Sequence, residues 1–127
     1  MSSEPNGIDT RSGLANTGGD HDFYRRMLGM FRDREADFLR RFHAARVQRD
    51  SEAAMRDAHD LKSEASTLGM HGLERAAAAL EQGCHDGAGD ADVDEMLQEV
   101  SNRLSDVMDE LRAFDSMPLE QLTQAWR

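Results

Sequence analysis

Apolar residues along this chain recur at three- and four-residue steps, the period of one face of an α-helix. The longest series is Val93, Leu97, Val100, Leu104, Val107, Leu111 and Phe114, which predicts a helix from Ala91 to about residue 115. The run Asp115-Ser116-Met117-Pro118 ends it. Ala54, Ala58, Leu61, Ala65 and Leu68 step by four, three, four and three, giving a narrow, alanine-rich stripe on a helix that closes at Leu68. Asp50 or Ser51 caps its start, Glu52 favours its positive end, and Gly69 is placed to terminate it. Leu73, Ala76, Ala77, Leu80 and Cys84 form the stripe of a helix over 72–85, with small residues that allow close packing. Tyr24, Leu28, Phe31, Phe38 and Phe42 share a heptad-like register on one helix over 21–47, capped by Asp20. Glu35 fills the one slot that breaks that register, while Phe23, Met27, Met30 and Leu39 widen the stripe into core.

The remaining segments are short. Residues 1–7 read as a flexible leader. Ile8 to Ala15 predicts a short helix with Asp9 as its N-cap, broken by Thr17-Gly18-Gly19. Residues 8–115 form the domain and 116–127 a tail, in which Leu119 to Trp126 suggests a terminal helix; Trp126 either docks on the bundle or serves a contact. Four amphipathic helices joined by short links predict an all-α fold: an antiparallel up-down-up-down four-helix bundle with a short extra N-terminal helix.

Composition sharpens this in a few places. A chain of 127 residues, 39% hydrophobic and 31% charged, supports one domain with a real core. The net charge of −10 argues against nucleic acid as a partner, since phosphate binding needs a basic stripe. The arginines between 25 and 49 read as the solvated face of a helix. No apolar run is long enough to span a membrane, and no secretory signal is evident at the N-terminus. The single cysteine, Cys84, has no internal disulfide partner and reads as a small buried hydrophobe, which fits a reducing, cytoplasmic compartment. There is no glycine-rich phosphate loop, so no ATP site of a kinase is expected.

Candidate chemistry lies on the helix with the alanine stripe. His59 points away from that stripe, Lys62 and Ser63 are its neighbours at three and four residues, and Ser66 continues the same face. A histidine on a helix surface is ordinarily just solvated. His21, His43, His71 and His85 are read that way or as lying at helix ends, and the loop from His85 to Asp90 lacks a second ligand cluster with metal-site spacing. His59 differs in its surroundings. Neutral imidazole, with a reference pKa of roughly 6.5, is a good nucleophile near neutral pH. The Lys62 ammonium one turn away can screen charge on an incoming phosphoryl group, and small side chains leave a second protein room to reach the ring nitrogen.

The stretch from His59 to Gly69 resembles the signature of histidine-containing phosphotransfer (HPt) domains, His-x-x-Lys-Gly with a second glycine some residues later. His59, Lys62 and Gly69 match it. Ser63 stands where the family usually has glycine, and Glu64 where it prefers a small residue, which adds negative charge near the site. Gly13-Leu14, then Gly19-Asp20 and an aromatic helix, resemble the entry to HPt domains at the C-terminal end of hybrid sensor kinases, so the resemblance runs from about Ile8 to Phe114.

The resemblance implies a phosphocarrier without kinase activity of its own. His59 would be the phosphoacceptor, with Lys62 screening the phosphoryl oxygens and Ser63, Ser66 and Gly69 on the binding face. It implies response-regulator receiver domains as partners, with a hybrid sensor kinase in cis as a further candidate. No cofactor is expected on this chain, because the Mg²⁺ would sit in the receiver's acidic pocket. The alternative class is a helical adaptor that binds a partner without phosphate.

Overall fold

The computed structural model describes residues 7–115, which form α1 (Thr10–Asn16), α2 (His21–Glu35), α3 (Phe38–Val47), α4 (Ser51–Leu68), α5 (His71–His85) and α6 (Asp90–Asp115). The leader before Gly7, and the tail with its expected helix over Leu119 to Trp126, lie outside the described residues. Among the described residues the fold is an all-helical bundle. The helix that carries His59, α4, packs against α1, α2, α3 and α5, while α6 packs against α5 and α2. No helix among the described residues is long and apolar enough to cross a membrane.

Local chemistry sets the helix ends. Asp9, Asp20 and Asp50 each accept a hydrogen bond from the backbone N–H three residues on, at 3.0–3.1 Å. Asp50 is thus the cap of α4, and each such cap contributes about 1 kcal/mol. The stripes then close over the core: Ala54, Ala58, Leu61, Ala65 and Leu68 of α4 are all buried, as are Leu73, Ala76, Ala77 and Leu80 of α5. On α6, Val93, Val100, Leu104, Val107 and Leu111 are buried, whereas Leu97 and Phe114 are half-buried at the edge of the core.

Two expectations are corrected. The helix predicted over 21–47 is two helices, interrupted at Ala36 and Asp37, where Asp37 (φ −113°, ψ 23°) departs from helical geometry. No proline or glycine marks the break. Its cause lies in the slot that Glu35 occupies. Continuing the stripe buries this carboxyl, only 1% exposed, and a buried carboxyl needs partners. The bend brings Arg41 back to the Glu35 Oε1 at 2.8 Å, to the Arg34 carbonyl at 2.9 Å and onto Asp37. The second correction concerns the widened stripe. Met27 packs against the core, but Phe23, Met30 and Leu39 are exposed, because no helix among the described residues covers that side of α2 and α3.

The C-terminal end of α4 is the tightest joint. Gly69 adopts the left-handed conformation (φ +85°), and the Met70 N–H reaches the Ala65 carbonyl at 2.8 Å. The N-terminal segment crosses here: the Asp9 N–H donates to the Gly69 carbonyl at 2.7 Å. A β-carbon on Gly69 would lie 2.2 Å from the Asp9 carbonyl oxygen, and one on Gly13 would lie 2.3 Å from the Leu68 carbonyl oxygen and from the Tyr24 hydroxyl. The buried Tyr24 hydroxyl donates to the Leu68 carbonyl at 2.7 Å, satisfying a group that the helix end leaves unpaired. Burial first, and then Asp9 and Glu110, push the Tyr24 hydroxyl far above its ordinary range, so it remains a donor at any physiological pH.

Candidate functional site

His59 lies near the middle of α4 with its side chain 53% exposed, opposite the buried residues Ala58 and Leu61. Lys62 lies one turn on, and both point toward α5, where Glu81 receives them. The Glu81 carboxylate holds the His59 Nδ1 at 2.9 Å through Oε2 and the Lys62 ammonium at 2.7 Å through Oε1. One carboxylate thereby ties the imidazole to the ammonium. The Lys62 ammonium, with a lesser contribution from His59, holds the Glu81 carboxyl below the usual carboxylate range against the opposing effect of desolvation.

The ionised carboxylate can only accept, so Nδ1 carries the imidazole proton and Nε2 carries the lone pair. The tautomer and ring orientation are set from the α5 side, which leaves the lone pair on the nitrogen that Glu81 does not hold. The arrangement suits attack on an electrophile delivered from solvent: positive charge developing on the ring meets the Glu81 carboxylate, and the Lys62 ammonium retains further N–H donors for anionic oxygens. Among the described residues, no three His, Cys, Asp or Glu side chains converge as metal ligands would.

Ser63 is exposed beside His59. Its backbone carbonyl accepts the Thr67 hydroxyl at 3.1 Å, which keeps that larger side chain folded back along the helix. Ser66 is half-buried two turns beyond His59, about 10 Å along the axis, beside the carbonyls that Asn16 of α1 contacts. Gly69 is further still, about 15 Å from His59 along α4, and buried in the joint with Asp9 and Gly13. The structure therefore groups His59, Lys62 and Ser63, sets Ser66 apart, and gives Gly69 a position in the framework.

Glu64 does not project its charge over the imidazole. It turns toward the α2–α3 bend, where its Oε2 accepts from Arg34 at 2.8 Å. Between α2 and α4, next to Ser63, runs an apolar groove of about 200 Å³ walled by Met27, Met30, Phe31 and Leu68, with Arg34 and Glu64 at its rim. Of the other histidines, His71 reaches Asp9 at 3.3 Å and fastens the N-terminal segment to α5. Cys84 is half-buried, and desolvation raises its thiol above the ordinary range, as for a packing residue rather than a nucleophile.

Glu81 is the residue that the sequence reading misses. It lies outside the helix of the motif, and on α5 it reads as an ordinary polar position beside Leu80. The signal that finds it is the turn. His59 and Glu81 are equidistant from Met70, at the α4–α5 connection, and residues equidistant from a tight turn between antiparallel helices face each other.

Neither the curated proteins nor the solved structures contain a significant match to the chain. A family model, that of the Hpt domain, matches residues 26–114, a span that includes His59, Lys62 and Glu81. Hpt domains are phosphocarrier modules of two-component signalling, and a match over most of this length shows that the chain belongs to the Hpt domain family.

Proposed function

We propose that this protein is a phosphorelay intermediate that takes a phosphoryl group from the aspartyl phosphate of one receiver domain and passes it to the aspartate of another. In the accepting step Nε2 of His59 forms a bond to phosphorus as the bond to the aspartyl oxygen breaks. The receiver leaves with its carboxylate, and the Nδ1 proton stays shared with Glu81. The forward step reverses these bonds on a second receiver. Any Mg²⁺ belongs to the receiver's acidic pocket.

The observation that carries this reading is the shared carboxylate, with Glu81 at 2.9 Å from Nδ1 and 2.7 Å from the Lys62 ammonium, which leaves Nε2 as the exposed nucleophile. Lys62 screens the phosphoryl oxygens. Ser63 keeps the approach open, and the adjoining apolar groove with Met30 at its edge gives a receiver a surface to rest on. We read the bent pair α2–α3 as one arm, so that this arm, α4, α5 and α6 form an antiparallel up-down-up-down four-helix bundle with α1 across one end.

The test is transfer from a panel of phosphorylated receivers. Acid-labile, base-stable label is expected on the parent protein and absent from His59→Gln, whose helical content and melting temperature stay near the parent's because an exposed side chain is changed. Label that survives in His59→Gln, or a loss of several kcal/mol of stability there, overturns the assignment.

A further inference from the structure

The α2–α3 bend holds a group that the phosphotransfer chemistry does not use. Glu35 on α2 is 1% exposed, and its carboxyl lies within hydrogen-bonding reach of Glu64 on α4. Glu64 Oε2 is taken by Arg34, but its Oε1 is buried and receives no hydrogen bond from any nitrogen or hydroxyl among the described residues. Glu35 Oε1 is taken by Arg41. Two carboxylates facing each other with an oxygen unsatisfied is a costly arrangement, whereas one carboxylic acid donating to one carboxylate satisfies both.

We propose that Glu35 and Glu64 share a single proton and form a pH-sensitive clasp between the α2–α3 bend and the His59 helix, which loosens when that proton leaves. The proton sits on Glu35 and is donated to the orphaned Oε1 of Glu64. Its loss to water leaves two facing carboxylates that repel across the α2–α4 contact.

The facing Glu64 carboxylate favours the protonated form, and the Arg41 guanidinium opposes it. The other charged groups around the pair are Arg34 from α2, which binds Glu64, and Arg41 from α3, which binds Glu35 and reaches Asp37 and Asp57, while Asp60 of α4 acts on Arg34. Arg41 is shared among Glu35, Asp37 and Asp57, so it neutralises an ionised Glu35 only in part. Desolvation, and then Glu64, raise the Glu35 carboxyl to about 7, against the lowering effect of Arg41.

The clasp adjoins the groove, since Glu64 lies at the rim that Met27, Met30 and Ser63 also line. Opening the α2–α4 contact therefore changes the surface next to His59. The inference stands on the carboxyl pair alone and does not require the phosphotransfer reading.

Nuclear magnetic resonance of the full chain tests it, with side-chain carboxyl carbons of glutamate and methyl groups of methionine observed from pH 4 to 9. Glutamate Cδ signals are distinct from the aspartate Cγ signal of Asp57, which is also pushed up by burial. One glutamate is expected to titrate with a midpoint near 7, and the Met27 and Met30 methyls to shift with the same midpoint. In Glu35→Gln, the amide donates permanently to Glu64, so the near-neutral glutamate transition disappears and the two methyls keep their acid-form positions throughout.

Glu64→Gln, which removes the facing charge, should lower the Glu35 midpoint by at least one pH unit, a tenfold change in proton affinity. Melting gives the sign independently. The folded form holds a proton that the unfolded chain releases near pH 4.5, so the parent loses stability relative to Glu35→Gln as pH rises from about 4.5 to 7, and the difference then levels off. Ordinary titration of both glutamates, an unchanged midpoint in Glu64→Gln, or methyl shifts that persist in Glu35→Gln and so report a histidine, would each overturn the clasp.

Discussion

At Gly69, α4 ends in a joint where a single added carbon would lie 2.2 Å from the Asp9 carbonyl oxygen; ten residues earlier on the same helix, His59 stands half out of the surface with its close partner, Glu81, on another helix. The joint is built from backbone. Gly13, Gly69, the Leu68 carbonyl and the Tyr24 hydroxyl approach so closely that no larger residue fits, and their hydrogen bonds are buried. The site is built from side chains. Its distances are set by one carboxylate, and its members are polar and partly solvated. The joint fixes where α5 runs relative to α4, and this brings Glu81 opposite His59. The difference predicts a separation of tasks along one helix: changes at the joint should act on stability, and changes around His59 on the proposed transfer.

The largest expected effect is at the joint. Gly13→Ala places a methyl 2.3 Å from the Leu68 carbonyl oxygen, which is backbone and cannot step aside. Overpacking of this kind should cost about 3 kcal/mol or more, read as a drop in the denaturant midpoint at an unchanged slope. At a temperature where the variant is folded, transfer to His59 should remain. A fully stable Gly13→Ala would show that α1 rides loosely on α4, and the contrast between joint and site would break.

Next in size is the converse case at the site. Glu81→Gln keeps the shape and can still accept from Nδ1, but it removes the charge that stabilises a developing imidazolium and anchors Lys62. Phosphoryl acceptance should slow about tenfold, which is about 1.4 kcal/mol of transition-state stabilisation. The melting temperature should barely move, because the Glu81 side chain is partly exposed and surface pairs contribute little to stability. Single-turnover transfer and calorimetry on the same sample separate the two quantities. Equal rates in parent and variant would leave Glu81 a bystander, and the site would reduce to His59 and Lys62.

These contrasts also mark what the sequence could express. The stripes of α4, α5 and α6, and the caps Asp9 and Asp20, are statements about residues three or four apart on one element, so periodicity reads them directly. His59, Lys62 and Ser63 share one helix face and are legible for the same reason. Glu81 is not, because its role arises only when α5 folds back on α4. The bend at Ala36 and Asp37 was hidden by a stripe that continues straight through it, and the sole trace in the sequence was Glu35 standing in an apolar slot. That charge is local evidence of a tertiary arrangement: Arg41 and Glu64, which answer it, come from a different helix each. Glu64 likewise reads as a disturbance of the His59 face until its partners on α2 are in view.

The smallest expected effect sharpens the account of the joint by moving to the other end of α4. The connection that enters this helix uses the same device as the one that leaves it. The Asp50 N–H reaches back to the Ala45 carbonyl at 2.9 Å, as the Met70 N–H reaches Ala65, and the residue before each adopts a left-handed conformation. At the exit that residue is Gly69, buried and crowded; at the entry it is Arg49 (φ +56°), exposed. A non-glycine residue in this conformation carries a penalty of about 1 kcal/mol or somewhat more. Arg49→Gly relieves that penalty but gives back part of it through the extra freedom of the unfolded chain. The net expectation is a gain of about 0.5 kcal/mol with unchanged transfer, measurable as a small rise in the denaturant midpoint. The opposite exchange, Gly69→Arg, must fail to fold stably, since it adds a clash with Asp9 to the same conformational cost. If Arg49→Gly instead destabilises the protein, the Arg49 side chain makes a favourable contact that outweighs its backbone strain. The two ends of α4 would then differ in more than crowding.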